Sequence, residues 1–194
     1  MYPELFEKVI EFHGHCCPGI AYGFRAALAA VEEFGEKSAD EELVAIVENN
    51  SCSVDAIQVI TGCTFGKGNL IFRDYGKQVY TFFSRKRNAG IRFSVNSLQI
   101  EESKEETDAW KSYAEGNRSR EILRVMEGRK KKKIDYLLTL PKPKLFKIEP
   151  SSHILPNKAA LYPSVTCGLC AEKMMEPRAR LKNGKIVCIP CLEI

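Results

Sequence analysis

The 194-residue sequence lacks long apolar runs and any strong excess of one charge. Its longest uninterrupted apolar stretch, Ala26 to Val31, is far shorter than the roughly 18 residues that a membrane span needs. The first residues, Met1-Tyr2-Pro3-Glu4, lack the basic and apolar regions of a signal peptide. We therefore expect a cytoplasmic protein without a membrane span. A net charge of +4 is too small to indicate nucleic-acid binding by itself.

Cysteine is the residue type that stands out, with eight in the chain. In a cytoplasmic protein, cysteines are more often metal ligands or catalytic groups than disulfide partners. Four of them form two C-x2-C pairs, Cys167/Cys170 and Cys188/Cys191, and Asn183-Gly184 between the pairs favours a type I′ hairpin. The hairpin would bring four thiolates around one tetrahedral ion. This pattern predicts a closed structural zinc site; iron, two disulfides or free thiols are the alternatives.

A second group of metal-ligating residues occurs near the N-terminus. Two histidines and two thiols, His13-Gly14-His15-Cys16-Cys17, directly precede a helix that we expect to begin at Pro18. The positive end of that helix would favour a thiolate at Cys17. In an extended loop the side chains of His13, His15 and Cys17 would point to one side.

Cys52 and Cys63 lie at the two ends of another predicted helix. At about 1.5 Å of rise per residue, that helix holds them roughly 15 Å apart, so they cannot form a paired knuckle. One of them can still reach the His-Cys loop, or each can serve a different site. Alternatively, both are small buried side chains and the histidines hydrogen-bond locally. If the cluster forms, it would hold zinc or a related soft metal.

Two further features near these cysteines suggest a polar pocket. Asp55 and Gln58 belong to the same predicted helix and are candidate lining residues. The loop that follows, Thr61 to Asn69, is rich in glycine, which allows backbone amides to approach a ligand, and Lys67 could meet an anion. The loop lacks the spacing of a P-loop.

The pattern along the chain predicts an α+β fold with an antiparallel or mixed sheet packed against helices, plus a small zinc-finger domain. Five of the nine prolines lie between Pro141 and Pro163, which discourages regular helix there. We therefore expect a core domain at 1–150, a linker at 151–165 and a zinc finger at 166–194. The expected helices are 3–12, 18–34, about 53–60 and 103–139, and the last of these is interrupted at 116–117 and near 128. The expected strands are 43–47, 70–73, 78–84, 91–95 and 145–148. We expect the middle three strands to form a meander.

Three motifs carry a resemblance to a known family. His13-Gly-His15-x-Cys17-Pro-Gly, then Cys52-x-x-Asp55-Ala-Ile-Gln58, then the loop from Thr61 to Asn69 resemble the E-subunit family of formylmethanofuran dehydrogenase over roughly residues 1–150. Several members are similar in carrying an extra zinc finger after the core. The resemblance implies an α+β core, an intertwined homodimer and a metal-binding cavity near the His-Cys loop. It favours His15 and Cys17 as ligands, then Cys63, Cys52 and His13, and it leaves out Cys16.

The resemblance also implies a function. It indicates a metal-binding protein with zinc in the tail and a second metal, by default zinc, in the core. Such a protein would be an accessory subunit or a redox or metal-handling partner of a molybdenum or tungsten enzyme, or a small enzyme. No reaction can be assigned, and any catalysis would be metal-dependent and associated with an oxidoreductase.

The alternative function is a regulatory or interaction protein that binds nucleic acid or a protein partner. Between Arg118 and Lys147 there are eleven basic and three acidic residues, next to the predicted zinc finger. Such a basic run can contact phosphates. It is more commonly a solvated helix face, and the acidic stretch from Glu101 to Asp108 could neutralise it in a dimer.

Overall fold

The computed structural model describes residues 3–35 and 37–193, which fall into two compact units, Met1–Lys158 and Ala159–Ile194. We call them the core unit and the tail unit. Within the described residues, no helix is long and apolar enough to cross a membrane. The core unit contains, in chain order, α1 Pro3–His13, α2 Pro18–Phe34, β1 Leu43–Val47, α3 Ser53–Thr61, β2 Leu70–Phe72, β3 Val79–Ser84, β4 Ala89–Val95, α4 Lys104–Ala114, α5 Arg120–Thr139, α6 Lys142–Leu145 and β5 Phe146–Pro150.

The five strands form one mixed sheet in the order β2-β1-β3-β4-β5. Only β1 and β2 are parallel, with Ala45 opposite Leu70, and the other pairs are antiparallel. The predicted α+β fold with a mixed sheet is confirmed, but the predicted meander is wrong at its first connection. β1 lies between β2 and β3. All five of its residues are buried, as is typical of an interior strand.

Helices α2 and α3 bury their apolar faces together with one face of the sheet. Phe24 and Ile57 from these helices belong to the same buried cluster as Tyr80, Phe82 and Phe93. α2 ends at Gly35, which adopts a φ of 72° and donates its N–H to the carbonyl of Val31. The predicted bounds of α2 and β1 are confirmed.

Two glycines on α2 allow α3 to approach unusually closely. A Cβ atom at Gly23 would lie 2.0 Å from the carbonyl oxygen of Ser53, and one at Gly19 would lie 2.8 Å from the Cβ of Cys52. Because residues four apart share one face of a helix, these glycines form a flat strip against the first turn of α3. The strip places Cys52, which precedes α3, beside the start of α2.

Helices α4 and α5 confirm the predicted helical region and its break at 116–117, whereas Gly128 does not interrupt α5. α4 begins with a capping box between Ser103 and Glu106. At the other end of the pair, the guanidinium of Arg25 donates to the carbonyls of Leu137, Leu138 and Leu140 at 2.7–2.8 Å. These bonds satisfy the free carbonyls at the C-terminus of α5 and fix it to α2.

The segment that follows β5 packs against the outer face of the sheet. Leu155 contacts the buried side chains of Val44, Ile46 and Phe83. Arg85 donates to the backbone carbonyls of residues 156 and 157. The first half of the segment predicted as a linker therefore belongs to the core unit.

The tail unit consists of two short two-stranded ribbons and a terminal helix. Asn183 and Gly184 have φ values of 50° and 76°, which confirms the predicted turn between the strands of the second ribbon. Its elements are β6 Ser164–Thr166, β7 Lys173–Met175, a 3-10 turn Glu176–Arg178, β8 Arg180–Lys182, β9 Lys185–Val187 and α7 Ile189–Glu193.

Candidate metal centres

The four tail cysteines converge on one point. The Sγ atoms of Cys167, Cys170, Cys188 and Cys191 all lie within 4.8 Å of one another, and Cys170 and Cys188 are 3.8 Å apart. Four sulfurs around a zinc ion with bonds of about 2.3 Å would be separated by about 3.8 Å. This group can therefore hold a metal ion with no coordination position left open.

Backbone N–H groups stabilise the thiolate form of Cys167, the first of these four cysteines. The N–H groups of Cys170, Cys188 and Leu169 point at the Sγ of Cys167, with Cys188 N at 3.3 Å and Leu169 N at 3.5 Å. These donors lower the pKa of Cys167 to about 6, so the thiolate is stabilised by the fold itself. The thiolate is the form that binds a metal.

A second group lies in the core unit, where three elements meet. His13 is the last residue of α1, Cys17 precedes α2, and Cys52 precedes α3. One donor atom from each lies within 4.8 Å of the other two, and the His13 Nε2 to Cys17 Sγ distance is 3.9 Å. A tetrahedral zinc site separates its donors by about 3.4–3.8 Å, so this group fits three of the four positions.

His13 is oriented for this role by a carboxylate. Its Nδ1 lies 2.7 Å from Oδ2 of Asp55, which leaves Nε2 directed towards the thiols. A ring N–H donated to a carboxylate is the usual way of fixing a metal-binding histidine and raising its basicity. Gln58 in turn donates to Asp55 at 3.5 Å. The structure therefore places Asp55 and Gln58 behind the ligand group.

In this structure the two core thiols interact with each other. Burial, followed by the hydrogen bond and charge of Cys17, raises the pKa of Cys52. Two neighbouring thiols resist the loss of both protons because the two negative charges repel. A bound cation removes this penalty, because its own charge dominates the site.

Two of the predicted ligands, His15 and Cys63, do not belong to the close group formed by His13, Cys17 and Cys52. The His15 ring is 4.5 Å from that of His13 but is exposed, and its donors are not among the mutually close atoms. Cys63 is fully buried at the opposite end of α3 and donates to the carbonyl of Leu43 at 3.5 Å, and burial raises its pKa to about 11.

The loop from Thr61 to Asn69 serves folding instead of forming a pocket with Asp55. The ammonium of Lys67 donates to the carbonyls of Ser38 and Ala39, each at 3.2 Å. The buried amide of Asn69 donates to Ser38 Oγ and to two backbone carbonyls at 3.0–3.1 Å. The prediction that Lys67 shares a polar pocket with Asp55 is corrected, because Lys67 lies beyond the C-terminal end of α3 and the two ends of this helix are about 13 Å apart.

Two positioning residues, Gly19 and Gly23, were missed by the sequence analysis. Their signal was the spacing of four within an otherwise alanine-rich helix, which permits a close helix contact.

Comparison with known proteins identifies the family of this chain. The family model described as "FmdE, Molybdenum formylmethanofuran dehydrogenase operon" matches residues 12–147, which is more than half of the chain. The chain belongs to the FmdE family. The resemblance to the E-subunit family of formylmethanofuran dehydrogenase is therefore confirmed.

Two relatives of this FmdE chain extend the comparison. A solved structure, that of a tungsten formylmethanofuran dehydrogenase FmdE-like protein from Syntrophus aciditrophicus, aligns with a TM-score of 0.60 and 22% identity over 98% of this chain and 91% of its own. It supports the fold. A protein of Archaeoglobus fulgidus described as a probable S-adenosyl-L-methionine-binding protein is 33% identical over 97% of this chain. The chain spans about half the length of that relative, 52%.

Proposed function

We propose that this FmdE protein carries a metal ion in a three-ligand core site and a structural zinc ion in its tail. The observation that carries the proposal is the arrangement of His13, Cys17 and Cys52 around one point, with Asp55 bonded to the far side of the imidazole. Mixed imidazole and thiolate donors select zinc and related soft metals. Three protein ligands leave a fourth position for water or a ligand, as in metal sites that perform chemistry.

An accessory role follows from the family together with this site. The family description refers to a molybdenum formylmethanofuran dehydrogenase operon. We therefore propose a cytoplasmic homodimer that acts as a metal-handling partner of a molybdenum or tungsten enzyme. The ligand named for the Archaeoglobus relative is not transferred, since half of that protein lies outside the shared region.

Binding of nucleic acid through the tail and α5 is the less favoured function. Three cations of the basic segment already have acidic partners: Arg129 pairs with Glu102, Lys132 with Glu106 and Lys130 with Glu127. A phosphate backbone would have to displace these carboxylates, which weakens the electrostatic gain on which such binding depends.

Metal analysis of purified variants tests the proposal. The wild type should contain two metal ions per chain, and Cys17→Ser and Cys167→Ser should each retain one. Cys16→Ser is the matched control, because it makes the same chemical change one residue from a ligand and should retain both ions. Unchanged metal content in Cys17→Ser, with loss only in Cys167→Ser, would contradict the core site.

A further inference from the structure

A cavity of about 340 Å³ lies between α4, α5 and the first residue of α2. Its volume falls in the range of roughly 300–1,000 Å³ that is usual for small-molecule sites. The proposed function does not account for it. Its lining residues are Pro18, Tyr113, Leu123, Met126, Glu127, Arg129, Lys130 and Lys133.

The charged part of the lining has an excess of cations, three against one carboxylate. Lys130 pairs with Glu127 at 2.7 Å, and Arg129 pairs with Glu102. Lys133 is half-buried, and across residues 3–35 and 37–193 it has neither a hydrogen bond nor an ion pair. An ammonium held partly out of water without a partner gains most from a bound anion.

Lys133 is also placed to reach a ligand from two sides. A second cavity, of about 140 Å³, adjoins the first, and both are lined by Arg129 and Lys133. Lys133 therefore borders both spaces.

The remaining lining is apolar and held in place by stacked groups. The Tyr113 ring stacks on Trp110 with centroids 6.2 Å apart, and the Arg118 guanidinium lies 3.7 Å from the Tyr113 centroid. Arg129 lies 5.0 Å from the Trp110 centroid. Such cation–π contacts order both the aromatic wall and the guanidinium before a ligand arrives. With Leu123 and Met126, the cavity presents an apolar wall beside a cationic edge.

The cavity borders the loop that holds the core metal ligands. Pro18, which lines it, directly follows Cys17.

We propose that the cavity binds a small organic anion, with its carboxylate or phosphate on Lys133 and its apolar part against Tyr113 and Met126. The site adjoins the proposed metal and goes beyond the proposed function. Anion binding does not require the core metal, so it can be tested in Cys17→Ser protein. Success or failure there is independent of whether the core site holds an ion.

Two dyes that differ mainly in one charge provide the probe. 8-Anilinonaphthalene-1-sulfonate is an aromatic anion, and N-phenyl-1-naphthylamine lacks the sulfonate. Fluorescence titration should show the sulfonate dye binding about tenfold more tightly, the effect expected of one charge-assisted hydrogen bond. Inorganic phosphate and acetate, each against chloride at matched ionic strength, then compete for the dye. The stronger competitor identifies the anionic group that the site prefers.

Lys133→Gln should remove most of the preference for the charged dye and weaken its binding about tenfold. Lys131→Gln is the matched control, because Lys131 is exposed on the same helix and lies outside the lining residues of the cavity. It should change the affinity less than twofold. Circular dichroism checks that both variants are folded.

Three results would overturn the proposal. They are equal affinities for the two dyes, equal effects of Lys133→Gln and Lys131→Gln, and dye binding that falls as the protein self-associates. The last would mean that a second copy of the chain fills the cavity.

Discussion

The tail and core sites both contain cysteine thiols, but the chain brings the ligands of the two sites together in opposite ways. In the tail, two C-x2-C pairs lie within 25 residues of sequence, from Cys167 to Cys191, and a two-residue turn brings them together. In the core, Cys17 and Cys52 meet because two helices cross closely at Gly19 and Gly23. We therefore expect the tail to need a metal ion for folding, whereas the core has a buried apolar cluster around which it can fold without one.

Removal of metal by a chelator should produce the largest difference in folding between the tail unit and the core unit. Structural zinc contributes roughly 10–16 kcal/mol to the folding of small metal-dependent modules. We expect removal of metal to unfold the tail unit while the core unit keeps its structure. Limited proteolysis with mass spectrometry should then show cuts confined to residues 159–193. Cuts of equal rate within β1 or β3 would show that the core also needs metal to fold.

Gly23→Ala should separate the core ligands by moving α3 away from α2. The new Cβ would lie 2.0 Å from a backbone oxygen, which cannot rotate away, so we expect about 1–3 kcal/mol of destabilisation. The core metal should be lost and the tail metal retained, as measured by denaturant unfolding and metal analysis.

Gly128→Ala is the matched control for that variant. It lies in α5 with nothing within 4 Å of the added Cβ, and it should stabilise the protein by about 0.5–1 kcal/mol. A Gly23→Ala variant with two metals and unchanged stability would refute the close-crossing argument.

Asp55→Asn tests whether the carboxylate that is bonded to His13 strengthens metal binding in the core site without affecting the tail site. Loss of such a partner typically weakens metal binding ten- to a hundredfold, so we expect about that change in the core and none in the tail. Competition with a chromophoric chelator measures both affinities. Asp74→Asn, which removes the same charge from an exposed position, should leave both affinities unchanged. An equal effect of the two variants would remove Asp55 from the site.

Cys63→Ala is expected to give the smallest effect and checks that Cys63 is structural. Burial raises the pKa of this thiol from 9.0 to about 11, so the neutral form is favoured in the folded protein. The resulting stability is present below pH 9 and is lost as the pH rises through about 11, by at most about 1.4 kcal/mol per pH unit. Unfolding at pH 8 to 11 should show a shallower alkaline loss in Cys63→Ala. Loss of a metal ion in this variant would make Cys63 a ligand after all.

The difference between the sites also explains what the sequence could reveal. The tail ligands, the Asn183-Gly184 turn and the bounds of α2 and β1 follow from local spacing and capping, which a sequence displays directly. The choice of Cys52 over Cys63 depends on which end of α3 faces α2, and no local pattern encodes that packing. The same applies to β1, whose place between β2 and β3 depends on long-range pairing. Lys67 looked like an anion ligand because its loop is rich in glycine, but the carbonyls of Ser38 and Ala39 accept its ammonium.

We propose that the core site offers two thiolates and one imidazole to a metal ion and leaves its fourth position open. X-ray absorption spectroscopy of Cys167→Ser protein, in which only the core metal remains, tests it most directly. We predict two sulfur ligands at about 2.3 Å and two nitrogen or oxygen ligands at about 2.0–2.1 Å, one from His13 and one exchangeable. A shell of four sulfurs, or a shell without sulfur, would rule out this ligand set.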